Sequence, residues 1–278
     1  MQFHLTFTQP STSKIFTVKE LTFEQYRILN KFIGNKNNKH IDEYFNHIIE
    51  SNSNATLLTN FDKFLLLFLL RLASISSEVE ISSGKFTKKT SIIPIFTQLQ
   101  SLSKSFKRTF THDNFTLETD LPKNLCFNDV YDPLCFSIQE IIINGAPINY
   151  SSLSDEEKIA IFEKLPSSII SDLRAYQNEV SSVFKQCEIK LFDSDQSFIV
   201  SPFDNNMFEF IKVLFTTNLK SLYELQYILV SKLFYSAEYI DKNTLVENLI
   251  LKNILETEMN QLKEERQKSV ENKPQGYK

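Results

Sequence analysis

The chain holds no tryptophan, four glycines, eight prolines, three cysteines and three methionines in 278 residues. Four glycines leave little backbone that can wrap a phosphate or cofactor closely. No Gly-rich phosphate loop, Gly-x-Ser-x-Gly elbow, Cys-x-x-Cys pair or His-Glu-x-x-His motif is present, so no catalytic, cofactor-binding or metal residue is assigned and no cofactor or small-molecule substrate is expected. Cys126, Cys135 and Cys187 are odd in number and have no close pairing, which suits a reducing compartment better than a disulfide scaffold. The formal charge of -4 gives no global electrostatic reason for a nucleic-acid or anionic-membrane partner. The longest apolar run, Phe64 to Leu70, is flanked by Lys63 and Arg71 and falls well short of the roughly 18 to 20 residues that cross a bilayer. The opening MQFHLTFTQP lacks a basic stretch followed by an apolar one, so no secretory signal is expected and synthesis should be cytoplasmic.

With 42% hydrophobic and 23% charged residues, the chain can bury a sizeable core. Its centre is Thr59 to Ile75, TNFDKFLLLFLLRLASI, apolar at almost every middle position and so a buried helix. Thr59 or Asn60 supplies the cap, Asp62 suits the first turn and Arg71 the far end. Before it, alternation over Gln2–Thr8 and Ile15–Val18 predicts a hairpin, and Leu21–Ile33 and Ile41–Ile49 predict amphipathic helices, the first stopped by Gly34. After it come a strand at Glu78–Ser82, a basic irregular stretch from Gly84 to His112, a strand or hairpin at Phe110–Glu118, and a connection to Pro133. FSIQEIII and APINY flank Asn144-Gly145, the strongest short hairpin signal, and Ser154 with Glu157 forms a capping box. A helix over Ser167–Phe184, a hairpin over Cys187–Val200, and helices over Asn206–Thr216, Leu219–Phe234 and Thr244–Gln267 follow. The expected class is α+β, mainly helical, with short antiparallel hairpins around the central helix. Its divisions fall at 1–83, 84–135 and 136–278, or the whole is one continuous domain.

Four features invite a functional reading. His40 and His47 share one helix side near Asp42, Glu43 and Glu50, but a metal site usually wants a third ligand in range, and a wet helix face is the plainer reading. Adjacent acids such as Glu156–Glu157 and Glu264–Glu265 do not converge on a substrate. Lys85, Lys88, Lys89, Lys104, Lys107 and Arg108, interleaved with Phe86, Phe96, Phe106 and Phe110 and with no carboxylate among them, are the ingredients of a single-strand nucleic-acid surface. The plainer alternative is a solvated insertion whose aromatics tuck onto the core, and an acidic protein partner is a third. Lastly, Leu251, Leu255, Met259 and Leu262 form a stripe on a terminal helix that runs on into KEERQKSVENKPQGYK, a pattern suited either to docking a partner or to lying back on the preceding helices.

Phe16-Thr17-Val18-Lys19-Glu20, then Leu58-Thr59-Asn60-Phe61-Asp62-Lys63-Phe64-Leu65 and Leu70-Arg71-Leu72-Ala73-Ser74, resemble the opening of the T-even-type myophage baseplate proteins, the hub subunits and hub assembly chaperones. Ile148 to Pro166, ending Glu163-Lys164-Leu165-Pro166, and the Phe208 to Tyr223 helices with a charged terminal helix are similar as well. The resemblance implies a tailed-phage assembly protein, not an enzyme, made in the host cytoplasm. It would bind other hub proteins, with a homo-oligomer left open, and either stay in the virion baseplate or leave. Many members carry a Cys-Pro-x-Cys pair where this chain reads Phe184-Lys185-Gln186-Cys187-Glu188-Ile189, and only Cys187 matches. The competing functions are a nucleic-acid-associated protein using 84–112 and an enzyme whose site carries no recognisable motif.

Overall fold

The computed structural model describes residues 4–83, 86–102, 106–112, 115–123, 133–185, 188–190, 197–199, 201–203 and 206–271. The central helix α3 spans Asn60–Ser74, capped at Thr59 and Ile75, as its composition predicts. Phe61, Phe64, Leu65, Leu66, Leu67, Phe68 and Leu70 are buried, and Leu69 and Leu72 are half-buried, so the helix is enclosed nearly all round. Burying such side chains is worth about 1.5 to 3 kcal/mol each, an upper bound that chain entropy opposes.

What surrounds α3 comes from both ends of the chain. β1 (His4–Thr8) and β2 (Ile15–Lys19) form the opening hairpin, followed by α1 (Phe23–Gly34) and α2 (Asn38–Asn52). Gly34 is the last residue of α1 rather than its left-handed stop; that conformation falls to Lys36, at φ 57°. α7 (Asn206–Phe215) lies along α3, with Phe210 contacting Phe64 and Phe68 at ring distances of 6.2 Å, while Phe208 and Phe215 meet Phe45 of α2.

The stretch expected to be irregular contains regular elements. β3 (Glu78–Ser83) pairs antiparallel with β4 (Phe86–Ser91), then comes α4 (Ile93–Gln100), entered through Pro94. β5 (Arg108–His112), β6 (Phe115–Thr119), β7 (Ile138–Ile143) and β8 (Ala146–Ile148) make a four-stranded antiparallel meander. Asn144 and Gly145 are both left-handed, at φ 52° and 78°, the backbone a two-residue hairpin needs to match strand twist. α5 (Asp155–Phe162) opens with the Ser154–Glu157 capping box. α6 (Ser167–Lys185) then covers the meander, enclosing a second apolar cluster of Leu117, Leu134, Ile138, Ile141, Tyr150, Ile169 and Leu173. Phe110 touches both clusters. The first cluster contains side chains from each of the stretches 1–83, 84–135 and 136–278. Of the Cys187–Val200 hairpin, β9 (Glu188–Lys190) and β10 (Ser197–Ile199) are described and pair antiparallel; Cys187 and Cys126 lie outside the described residues.

Candidate functional site: the outer face of the C-terminal helices

The chain closes with α8 (Leu219–Leu233), α9 (Ala237–Lys242) and α10 (Leu245–Glu271). The side chain of Asn218 caps α8 by accepting from Lys220 N at 3.0 Å. Leu222, Leu225 and Leu229 point into the core, while Tyr223, Tyr227 and Val230, one or two turns apart, face out with Phe234 beyond them. Phe234 is left-handed at φ 57° and 88% exposed, a conformation unfavourable for a bulky side chain. α9 is too short for helical periodicity to reveal in the sequence.

The junction between α9 and α10 is firmly held. Thr244 N donates to Glu247 Oε2 at 2.7 Å and Glu247 N donates to Thr244 Oγ1 at 3.2 Å, a reciprocal cap. Asn248, fully buried, donates to Ile240 O at 2.9 Å and accepts from Asn243 Nδ2 at 2.9 Å. Phe23 N donates to Asn243 O at 2.6 Å, and Arg27 of α1 pairs with Asp241 at 3.0 Å while lying over the Tyr223 ring. α10 therefore starts from a fixed point on the body.

Of the sequence stripe on α10, Leu255 is buried, Leu251 is half-buried, and Met259 and Leu262 are exposed. The first two turn toward the body and the last two continue that line past it. On the opposite side Val246, Leu249, Ile250 and Ile254 are exposed, Ile250 at 52% and Ile254 at 50%. Sequence reading missed this second stripe, although its i, i+3, i+4, i+8 spacing was there to find. A shallow depression on this side is lined by Ile250, Asn253, Ile254, Thr257 and Glu258. No residue from 256 to 267 is buried, and at about 1.5 Å per residue the helix from Glu256 to Glu271 runs on for about 24 Å.

Other candidates resolve into structure. His40 and His47 are exposed on α2 and lie against Phe32 and Tyr44 at ring distances of 6.4 and 5.7 Å. Among the described residues no three His, Cys, Asp or Glu gather as a metal-ligand group. In the basic segment, Lys107 pairs with Glu118 at 2.6 Å, Arg108 with Glu179 at 2.9 Å, and Lys89 stands opposite Glu80 in the β3–β4 register. Three of its aromatics serve the core: Phe96 stacks on Phe68 at 5.4 Å, buried Phe106 meets Phe184 at 5.6 Å, and Phe110 meets Tyr176 at 6.5 Å. Lys85 and Lys104 lie outside the described residues.

A cavity of about 30 Å³ between α2, α3 and α7 is lined by apolar side chains together with Asn46, Asn60, Asp42 and Lys63, and burial pushes the pKa of Asp42 up and that of Lys63 down. It has room for one or two waters, against the roughly 300 Å³ or more of a small-molecule site. A polar cleft of about 240 Å³ lies beside α1 and the start of α10, with Glu20 pushed up by burial and then by Glu247. Its amides bond each other, Gln25 Nε2 to Asn52 Oδ1 at 2.7 Å and Asn52 Nδ2 to Gln25 Oε1 at 3.2 Å, and Glu247 accepts from Thr244 N.

The fold presents a core helix braced by remote segments and a terminal helix that leaves apolar side chains bare. Residues 1–191 match the family model described as T4 bacteriophage base plate protein, more than half of the chain, and the chain belongs to that family. Other baseplate proteins are the partners this membership suggests, and a component of the phage tail is the role it supports. The matched residues end before α7 to α10. Comparison with curated proteins and with solved structures gave no match. Among the described residues no helix is long and apolar enough to cross a membrane.

Proposed function

We propose that this baseplate protein is a hub subunit or hub assembly chaperone, acting without catalysis by binding other hub proteins through its C-terminal helices in the host cytoplasm during assembly. The observation that carries this reading is α10, apolar on two opposite sides between Leu245 and Leu255, with one side bare, and continuing past the last buried residue. A second apolar stripe on a helix whose first stripe already packs on the body is an exposed patch of the kind that marks an interaction surface. The stripe Leu251, Leu255, Met259 and Leu262 joins in at its exposed end, Met259 and Leu262, where a flexible thioether suits an adaptable contact.

The test is genetic complementation in phage lacking this gene, with the double substitution Ile250→Lys and Ile254→Lys. Both positions are about half exposed, so the variant is expected to fold, while infectious titre falls and particles lack complete baseplates. A normal titre overturns the reading. Mass spectrometry of purified virions then separates the two roles: a hub subunit is found in the particle, whereas a chaperone is found only with hub proteins from infected cells.

A further inference from the structure

We infer that the outer face of α10 receives a basic amphipathic helix of a partner protein, an inference that rests on the docking role proposed above. Ile250, Asn253, Ile254 and Thr257, which line the depression on that face, stand at i, i+3, i+4 and i+7. That diamond is the hole into which one side chain of a facing helix inserts when two helices pack. The lining therefore fits a helix in shape, with an aliphatic side chain of the partner seated between the two isoleucines.

Charge selects the kind of helix. At 100° per residue Glu247 and Glu258 fall on one flank of the strip Val246, Leu249, Ile250 and Ile254, and Glu256 falls on the other. Lys252, the cation of this stretch, is half-buried on the body side and pairs with Glu256 at 3.3 Å. An apolar strip framed by carboxylates is complemented by an apolar stripe framed by Lys or Arg. The same frame disfavours a second copy of this chain, whose matching face carries the same carboxylates on its flanks. An anionic lipid surface is disfavoured for the same reason.

The experiment uses the full-length protein and two synthetic helical peptides that share one Leu seam and carry either Lys or Glu at the flanking positions. Binding is followed by fluorescence anisotropy at about 0.15 M salt, where exposed charges more than about 8 Å apart are screened and contact pairs dominate. The Lys peptide should bind at least about tenfold more tightly than the Glu peptide, as complementary flanks require. Ile254→Lys should abolish that binding with the melting temperature unchanged, and Glu258→Lys should shift the preference several-fold toward the Glu peptide. Equal binding of the two peptides, no binding of either, or binding indifferent to Ile254→Lys overturns the inference. So does a concentration-dependent dimer in sedimentation that Ile254→Lys dissolves, which would make a second copy the occupant. If the peptides fail while the Ile250→Lys, Ile254→Lys phage still lacks complete baseplates, the docking role stands and the basic helix alone falls. If that phage assembles normally, both fall.

Discussion

At the scale of single residues, two charged side chains at the ends of α3 do more than complement its dipole. Asp62, fully buried, accepts from Thr59 N at 2.9 Å, Thr59 Oγ1 at 2.8 Å, Gln9 Nε2 at 3.0 Å and Ser11 Oγ at 2.9 Å, so it ties the β1–β2 turn to the start of the core helix. Asp62→Ala leaves the Thr59 cap but removes the reciprocal half of the capping box and the acceptor of a buried amide, and stranded buried donors cost about 1 to 3 kcal/mol each. Chemical denaturation should show about 2 to 4 kcal/mol lost; a loss under about 0.5 kcal/mol, typical of surface substitutions, would show that the turn is not anchored there. At the other end Arg71 donates from Nε to Leu214 O at 2.6 Å, from Nη1 to Ser76 O at 2.9 Å and from Nη2 to Glu78 O at 3.0 Å, capping the last turn of α7 and fixing the chain into β3. Arg71→Lys should destabilise nearly as much as Arg71→Leu, since an ammonium cannot span three carbonyls in a planar fork. Full stability in the lysine variant would reduce the fork to a simple charge. Sequence spacing placed both residues correctly on α3, but periodicity within a helix says nothing about remote partners such as Gln9 and Leu214.

At the scale of elements, legibility followed the strength of local chemistry. The α3 caps, the Asn144-Gly145 turn and the Ser154–Glu157 box were readable because each is fixed by a few adjacent residues. β4, α4 and α9 were not, because they are short and are held by neighbours, as Phe96 is by Phe68. α10 was readable as a helix but not in its orientation. Two apolar stripes lie on it, and only packing against α8 decides that Leu251 and Leu255 face inward while Ile250 and Ile254 face out. A chain ending at Thr257 keeps Leu255 and should melt at the same temperature as the full protein. One ending at Lys252 loses that buried side chain and should melt lower, by an amount comparable to the about 2 to 5 kcal/mol of a buried Leu→Ala change. Equal melting of both truncations would mean that α10 adds nothing to the body beyond its first two turns.

At the scale of the whole molecule, charge is arranged by the fold rather than by the sequence. The basic stretch 84–112 carries no acid of its own, yet Glu118 of β6 and Glu179 of α6 neutralise Lys107 and Arg108, an arrangement only the folded chain creates. Folding also gathers carboxylates where they are poorly solvated. Burial pushes the pKa of Glu20, Asp42 and Asp120 up from their ordinary values, with Asp120 pushed further by Asp62. An acid whose pKa is raised on folding binds more protons in the native state, so its share of stability is fully present below the unfolded pKa and is lost as pH rises through the folded one. Glu157 and Glu238 are shifted the other way by hydrogen bonds at a helix cap and to Lys242, and their contribution is lost only as pH falls through and below the ordinary carboxylate range. Between neutral pH and the ordinary carboxylate range the three raised acids set the sign, and the melting temperature should rise as pH is lowered toward that range. Asp120→Asn keeps an oxygen to accept from Leu121 N, now at 2.8 Å, and removes the repulsion with Asp62. The variant should melt higher than the parent at neutral pH and show a flatter profile toward acid. A parent profile that falls steadily from neutral pH, unchanged by Asp120→Asn, would show that these carboxylates are solvated.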